Sequence, residues 1–155
     1  RPFATDRHVC LATTAPAFHS TDPRILPAAA PWSRSPVAAA IINVLSVSAL
    51  KPSPYQGFYA ATKAALHALT SVMAAEWAAM GIRVNALAPG SFHSDMFDNS
   101  AKVLPGFMEG SIAKTLQKRV AETDEIIGSV MYLASDMSSY TTGSTLVTDG
   151  GYLVL

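Results

Sequence analysis

Two apolar, β-branched runs, Val37 to Ser46 and Ile82 to Ala88, flank one long stretch of helical periodicity, and this alternation constrains the fold most. The first run does not alternate apolar with polar residues, and both read as strands buried on both faces, the habit of a parallel sheet. Between them Leu66, Leu69, Met73, Trp77 and Met80 recur at helical spacing, and Gly81 stands where a helix end favours a left-handed residue. The pattern predicts a helix over 59–80. Further on, Thr123 is a candidate N-cap for a helix reaching about Ser135, and Leu146-Val147-Thr148 reads as a short strand before Asp149-Gly150-Gly151. Strand, helix, strand, helix, strand implies an α/β fold with a doubly wound parallel sheet and right-handed crossovers.

The first 36 residues differ. They hold six of the ten prolines, which breaks helices and central strands, and they show neither helical nor strand period. They read as an irregular or disordered leader, with the folded unit over 37–155.

Composition narrows the function classes. Eleven basic residues balance eleven acidic ones, so no basic field for nucleic acid or anionic lipid is expected. No apolar stretch is long enough to span a bilayer, and the opening residues lack the apolar segment of a secretory signal. Cys10 is alone, and His8, His19, His67 and His93 fall in no metal-ligand spacing, so neither a disulfide framework nor a metal site is expected. A reducing, cytoplasmic setting and a small-molecule partner or a second copy of the chain fit best.

The chemistry-bearing residues cluster at the strand ends. Tyr59 and Lys63 are four apart at the start of the predicted helix, so both project from one face. A tyrosine is a poor base at neutral pH, and a neighbouring ammonium favours its phenolate. Lys63 supplies that charge. Ser46 ends the first strand, where ligands of open α/β sheets bind, and its hydroxyl is placed to hold a carbonyl oxygen. A Tyr-x-x-x-Lys pair alone arises by chance in roughly one such sequence in six. Its position between Asn43-Val44-Leu45-Ser46 and Asn85-Ala86-Leu87-Ala88-Pro89-Gly90 gives it weight.

In these features residues 38–155 resemble the C-terminal half of the short-chain dehydrogenase/reductase family. The family's serine, Tyr-x-x-x-Lys pair, Asn-x-x-x-Pro-Gly segment and closing Asp-Gly-Gly all have matches in order. The resemblance implies a partial Rossmann-like fold and NAD(P)-dependent hydride transfer between an alcohol and a ketone or aldehyde. It implies Tyr59 as proton donor or acceptor, Lys63 also on the nicotinamide ribose, and Ser46 positioning substrate, with Ser48 as runner-up. It further implies Pro89, Gly90, the backbone around Phe92, and Ser94 bordering the nicotinamide. Leu45 replaces a small residue usual before the serine. Asn85 reads as structural, His93 as a loop residue beside the substrate mouth, and Asp149 as fixing a turn. The Met- and Phe-rich segment 94–117 occupies the family's substrate loop. The family's Gly-rich phosphate turn has no match, because the first glycine in the chain is Gly57. The N-terminal dinucleotide-binding strands are therefore expected to be missing, leaving an exposed apolar edge at 38–46, weak NAD or NADP binding and little activity alone. Three readings follow: a truncated or misread dehydrogenase, a non-catalytic interaction protein paired through the 59–80 helix, and an enzyme completed by another chain. The resemblance names no substrate among 3-oxoacyl thioesters, sugars or polyols, and hydroxysteroids.

Overall fold

The computed structural model of the protein describes residues 8–12, as backbone alone, and 39–155. Four parallel strands lie in chain order: β1 (His8–Ala12), β2 (Ala39–Val44), β3 (Ile82–Pro89) and β4 (Thr145–Thr148). The registers pair Cys10 with Ile41, Ile41 with Val84, and Leu87 with Leu146. The all-parallel α/β architecture is the one the alternation of periods demands.

β1 corrects the reading of the first 36 residues as irregular throughout. It also removes the exposed edge expected at 38–46, since β2 has a hydrogen-bonded neighbour on each side. Proline excludes a strand only at and beside its own position, and five residues between Pro2 and Pro16 suffice for a short one. The rest of that segment lies outside the described residues.

Helices cover both faces of the sheet. α1 (Gly57–Trp77) buries Leu66 with Leu45, Ala86 and Ala88, while α4 (Ile127–Ala134) buries Leu133 with Ile42 and Leu87. Alternate residues of β3 thus serve opposite layers, which is why Ala86, Leu87 and Ala88 are apolar in succession. α1 tightens into a 3-10 turn over Ala78–Met80 and stops at Gly81, whose φ of 75° is the left-handed conformation its position called for. Asn85 is structural: its amide donates to the Thr141 carbonyl at 2.8 Å and its oxygen accepts from the Ser144 N–H at 3.0 Å. Buried Arg83 likewise holds the carbonyls of Leu133 and Ser135, at 3.0 and 3.1 Å.

Ahead of α4, a 3-10 turn over Thr123–Ile126 is capped by Glu122 rather than Thr123. The Glu125 carboxylate accepts from the Glu122 N–H at 2.8 Å and pairs with Arg119 at 2.6 Å. No helix among the described residues is long and apolar enough to cross a membrane.

Candidate active site

The C-terminal ends of β2 and β3 open onto a cleft of about 600 Å³, roofed by α2 (Asp95–Val103) and α3 (Phe107–Ala113). This volume is in the range that holds a small ligand. Ser46 follows β2 and caps the 3-10 turn Val47–Ala49, its Oγ accepting from the Ser48 N–H at 3.1 Å. That bond fixes the hydroxyl through a lone pair and leaves its proton for a ligand. Ser48 differs: it is buried, and its hydroxyl donates to Gln56 Oε1 at 3.0 Å. These two bonds sort the serines, one with a proton to give and one without.

Tyr59 stands in the first turn of α1, is 39% exposed, and lines the same cleft. Its hydroxyl has no hydrogen-bond partner among the described residues. One turn on, Lys63 lies with Nζ 5.8 Å from the Tyr59 ring centroid and donates to the Val44 carbonyl at 2.9 Å. Its partial burial draws the ammonium below its ordinary pKa. The last carbonyl of β2 thus anchors the cation that stands beside the tyrosine.

Gly90 lies at the end of β3, where its N–H donates to the Thr148 carbonyl at 2.9 Å, and it lines the cleft after Pro89. Phe92 is elsewhere: it bridges to Ala121 and borders a separate 120 Å³ cavity. Ser94 is outside the cleft lining too, with Oγ accepting from the Phe97 N–H at 3.3 Å as the cap of α2. The fold brings Ser46, Tyr59 and Gly90 to one surface with Lys63 behind, and leaves Phe92 and Ser94 apart from it. Sequence reasoning passed over Gln56, Tyr152 and Lys114, which also line the cleft. Each comes from a different loop or helix end, and only tertiary packing gathers them.

Asp149 fixes the closing turn, its two carboxylate oxygens accepting from the N–H groups of Gly151 and Leu153 at 2.8 and 2.9 Å. On the roof, Phe97 packs on Phe107 with ring centroids 5.0 Å apart, and both rings line the cleft. His93 Nδ1 meets Asp98 Oδ1 at 2.9 Å, tying the loop after β3 to α2. That hydrogen bond, aided by the charges of Asp98 and Glu122, raises the His93 pKa above its ordinary 6.5. A raised folded-state value means the pair stabilises the fold fully below about 6.5 and ceases to as the pH rises through the shifted value. An NMR titration of the imidazole is expected to show this elevation and its loss in Asp98→Asn. An ordinary value in the parent protein would show that the pair does not form in solution.

A family model described as enoyl-(acyl carrier protein) reductase matches residues 23–153. An uncharacterised short-chain type dehydrogenase/reductase of Sinorhizobium fredii is 41% identical over 74% of this chain and 21% of its own length. Galactitol 2-dehydrogenase (L-tagatose-forming) of Cereibacter sphaeroides is 40% identical over 76% of this chain and 46% of its own. Among solved structures, a gluconate 5-dehydrogenase from Burkholderia cenocepacia in complex with NADP and tartrate superposes with a TM-score of 0.71. It is 36% identical over 74% of this chain and 45% of that one. The chain spans about half the length of these last two proteins.

Proposed function

This chain belongs to the short-chain dehydrogenase/reductase family, and on that premise we propose that it carries the substrate-side half of an NAD(P)-dependent oxidoreductase interconverting an alcohol and a ketone or aldehyde. The carrying observation is the Tyr59 hydroxyl, unengaged among the described residues and open to the cleft, with the Lys63 ammonium 5.8 Å from its ring. The residues present fit the nicotinamide end of such a cofactor. Ser46, Gly90 and Ser91 bring two strand ends to one cleft whose volume admits a flat ring beside a small substrate.

When bound, the nicotinamide supplies or takes up the hydride at the carbonyl carbon. In the reductive direction the Tyr59 hydroxyl gives its proton to the carbonyl oxygen, and in the oxidative direction its phenolate takes that proton from the alcohol. Ser46 donates a hydrogen bond to the same oxygen as negative charge develops there. Lys63 stabilises the phenolate from behind and is the residue here suited to the ribose hydroxyls. Pro89 and Gly90 would border the ring, and Phe92 and Ser94, which lie apart from the cleft lining, are given no contact with it. The sequence offers no Gly-rich turn for the pyrophosphate, so we expect weak binding of either dinucleotide and low activity from this chain alone.

The names of the relatives direct the first assays to polyols and sugar acids. NADPH or NADH incubated with this chain and a ketose or keto acid is expected to lose its reduced-nicotinamide absorbance in proportion to protein. No oxidation at any protein concentration, by a chain shown to be folded, would overturn hydride transfer as its activity. α1 also leaves Phe58, Leu69 and Val72 exposed, which supports pairing of two copies through this helix. Sedimentation of a single monomeric species at assay concentration would refute that pairing.

A further inference from the structure

Charge in the cleft is one-sided. Among the described residues that line it, Lys114 is the one charged group, and no carboxylate faces it. Lys114 follows α3 as its C-terminal cap residue, where a lysine ordinarily serves the open carbonyls of the helix end. Here that role is filled by another residue: Lys118 Nζ donates to the Ala113 carbonyl at 2.8 Å. The Lys114 ammonium has no hydrogen-bond or ion-pair partner among the described residues.

Its polar neighbours on the roof have already spent their protons. Ser100 Oγ donates to the Met96 carbonyl and Ser111 Oγ to the Phe107 carbonyl, each at 2.8 Å. Both keep lone pairs, which suit the hydroxyls of a ligand and repel an anion. Phe97, Phe107 and Leu104 make the rest of the roof apolar. Lys114 is thus the donor and the charge at the roof of a cleft whose floor holds Ser46 and Tyr59.

We infer that Lys114 anchors an anionic group of the substrate, so that the cleft takes hydroxy or oxo acids, or phosphate monoesters of similar size, ahead of neutral alcohols. This deepens the functional reading above, since it takes the Ser46–Tyr59 end as the seat of the carbonyl. A neutral chain is served by hydroxyls alone. An anion gains a charge-assisted bond to Lys114 and meets no like charge.

Binding to the full chain, followed by calorimetry or ligand-observed NMR, tests the inference without requiring turnover. D-Gluconate and D-glucitol differ chiefly in the carboxylate, tartrate and threitol form a shorter pair, and glucitol 6-phosphate provides the phosphoryl arm. The acid of at least one pair, or the phosphate ester, is expected to bind about tenfold more tightly than its neutral partner. Lys114→Gln is expected to erase that preference by weakening the charged probe to about the affinity of its neutral partner, and Lys114→Arg to retain it. The arm that shows the preference identifies the anion as carboxylate or phosphoryl. Equal binding of charged and neutral probes, no binding of any, or a preference that survives Lys114→Gln would overturn the inference. A variant that loses NADPH affinity and keeps the acid preference would assign Lys114 to the dinucleotide, and would overturn it as well. Anion preference without hydride transfer would sink the oxidoreductase reading and leave the anchor standing.

Discussion

Tyr59→Phe is expected to lower the rate of nicotinamide-linked turnover by about three orders of magnitude, within the range that loss of a positioned acid or base costs. The change deletes one oxygen atom that bonds to no described residue, on a side chain 39% exposed. Its effect on unfolding free energy should therefore stay within about 0.5 kcal/mol. The separation of the two effects is the informative part. Lys63→Ala cannot separate them, because the ammonium also holds the Val44 carbonyl at 2.9 Å, and its loss leaves a strand-end acceptor unpaired. Turnover of Tyr59→Phe set beside its urea midpoint checks the claim. Retained turnover would remove Tyr59 from the chemistry, whatever the geometry around it.

Gly90→Ala carries the largest expected effect on stability. A Cβ at this position would lie 2.7 Å from Asp149 Cα and 2.9 Å from Asp149 Cβ, closer than carbon atoms approach. The obstacle cannot swing aside like the end of a flexible side chain. The Asp149 carboxylate holds two backbone N–H groups of its own turn, and the Gly90 N–H is bonded to the Thr148 carbonyl beside it. Relief requires β3 and the turn after β4 to separate, at a cost of about 3 kcal/mol in the manner of an overpacked core. Because Gly90 lines the cleft, the same separation would shift the floor on which a nicotinamide ring would lie. Urea denaturation measures the cost, and a loss below about 1 kcal/mol would show that the close approach is soft.

Legibility in the sequence followed the range of the interactions involved. β2, β3 and α1 are written in local periodicity, and Gly81 carries the stop of α1 in its own φ of 75°. β1 is not so written. Its five residues carry no alternation and lie among prolines, and what makes them a strand is pairing with Ala39–Asn43, 31 residues away along the chain. The Glu122 cap escaped notice for a related reason: Thr123 has the better capping side chain, but the Arg119–Glu125 pair fixes the turn one residue earlier.

The site divides in the same way. Ser46, Tyr59 and Lys63 are carried by elements whose ends the sequence marks, so spacing alone placed them close together. Phe92 and Ser94 sit in the loop after β3, where the bridge to Ala121 and the capping of α2 decide direction. Lys114 could be found only through the cleft, since nothing in 94–117 separates it from an ordinary surface lysine. The choice between Ser46 and Ser48 likewise rests on one hydrogen bond, the one that commits Ser48 to Gln56.

Ser46, Tyr59 and Lys63 are proposed to form an assembled nicotinamide half-site at the ends of β2 and α1. Fluorescence titration of NADPH and NADH against the folded, size-fractionated chain, with Lys63→Ala alongside, tests it most directly. Weak but saturable binding is expected, lost in the variant while it remains folded. Absence of saturable binding by the folded chain, or equal binding by Lys63→Ala, would contradict it.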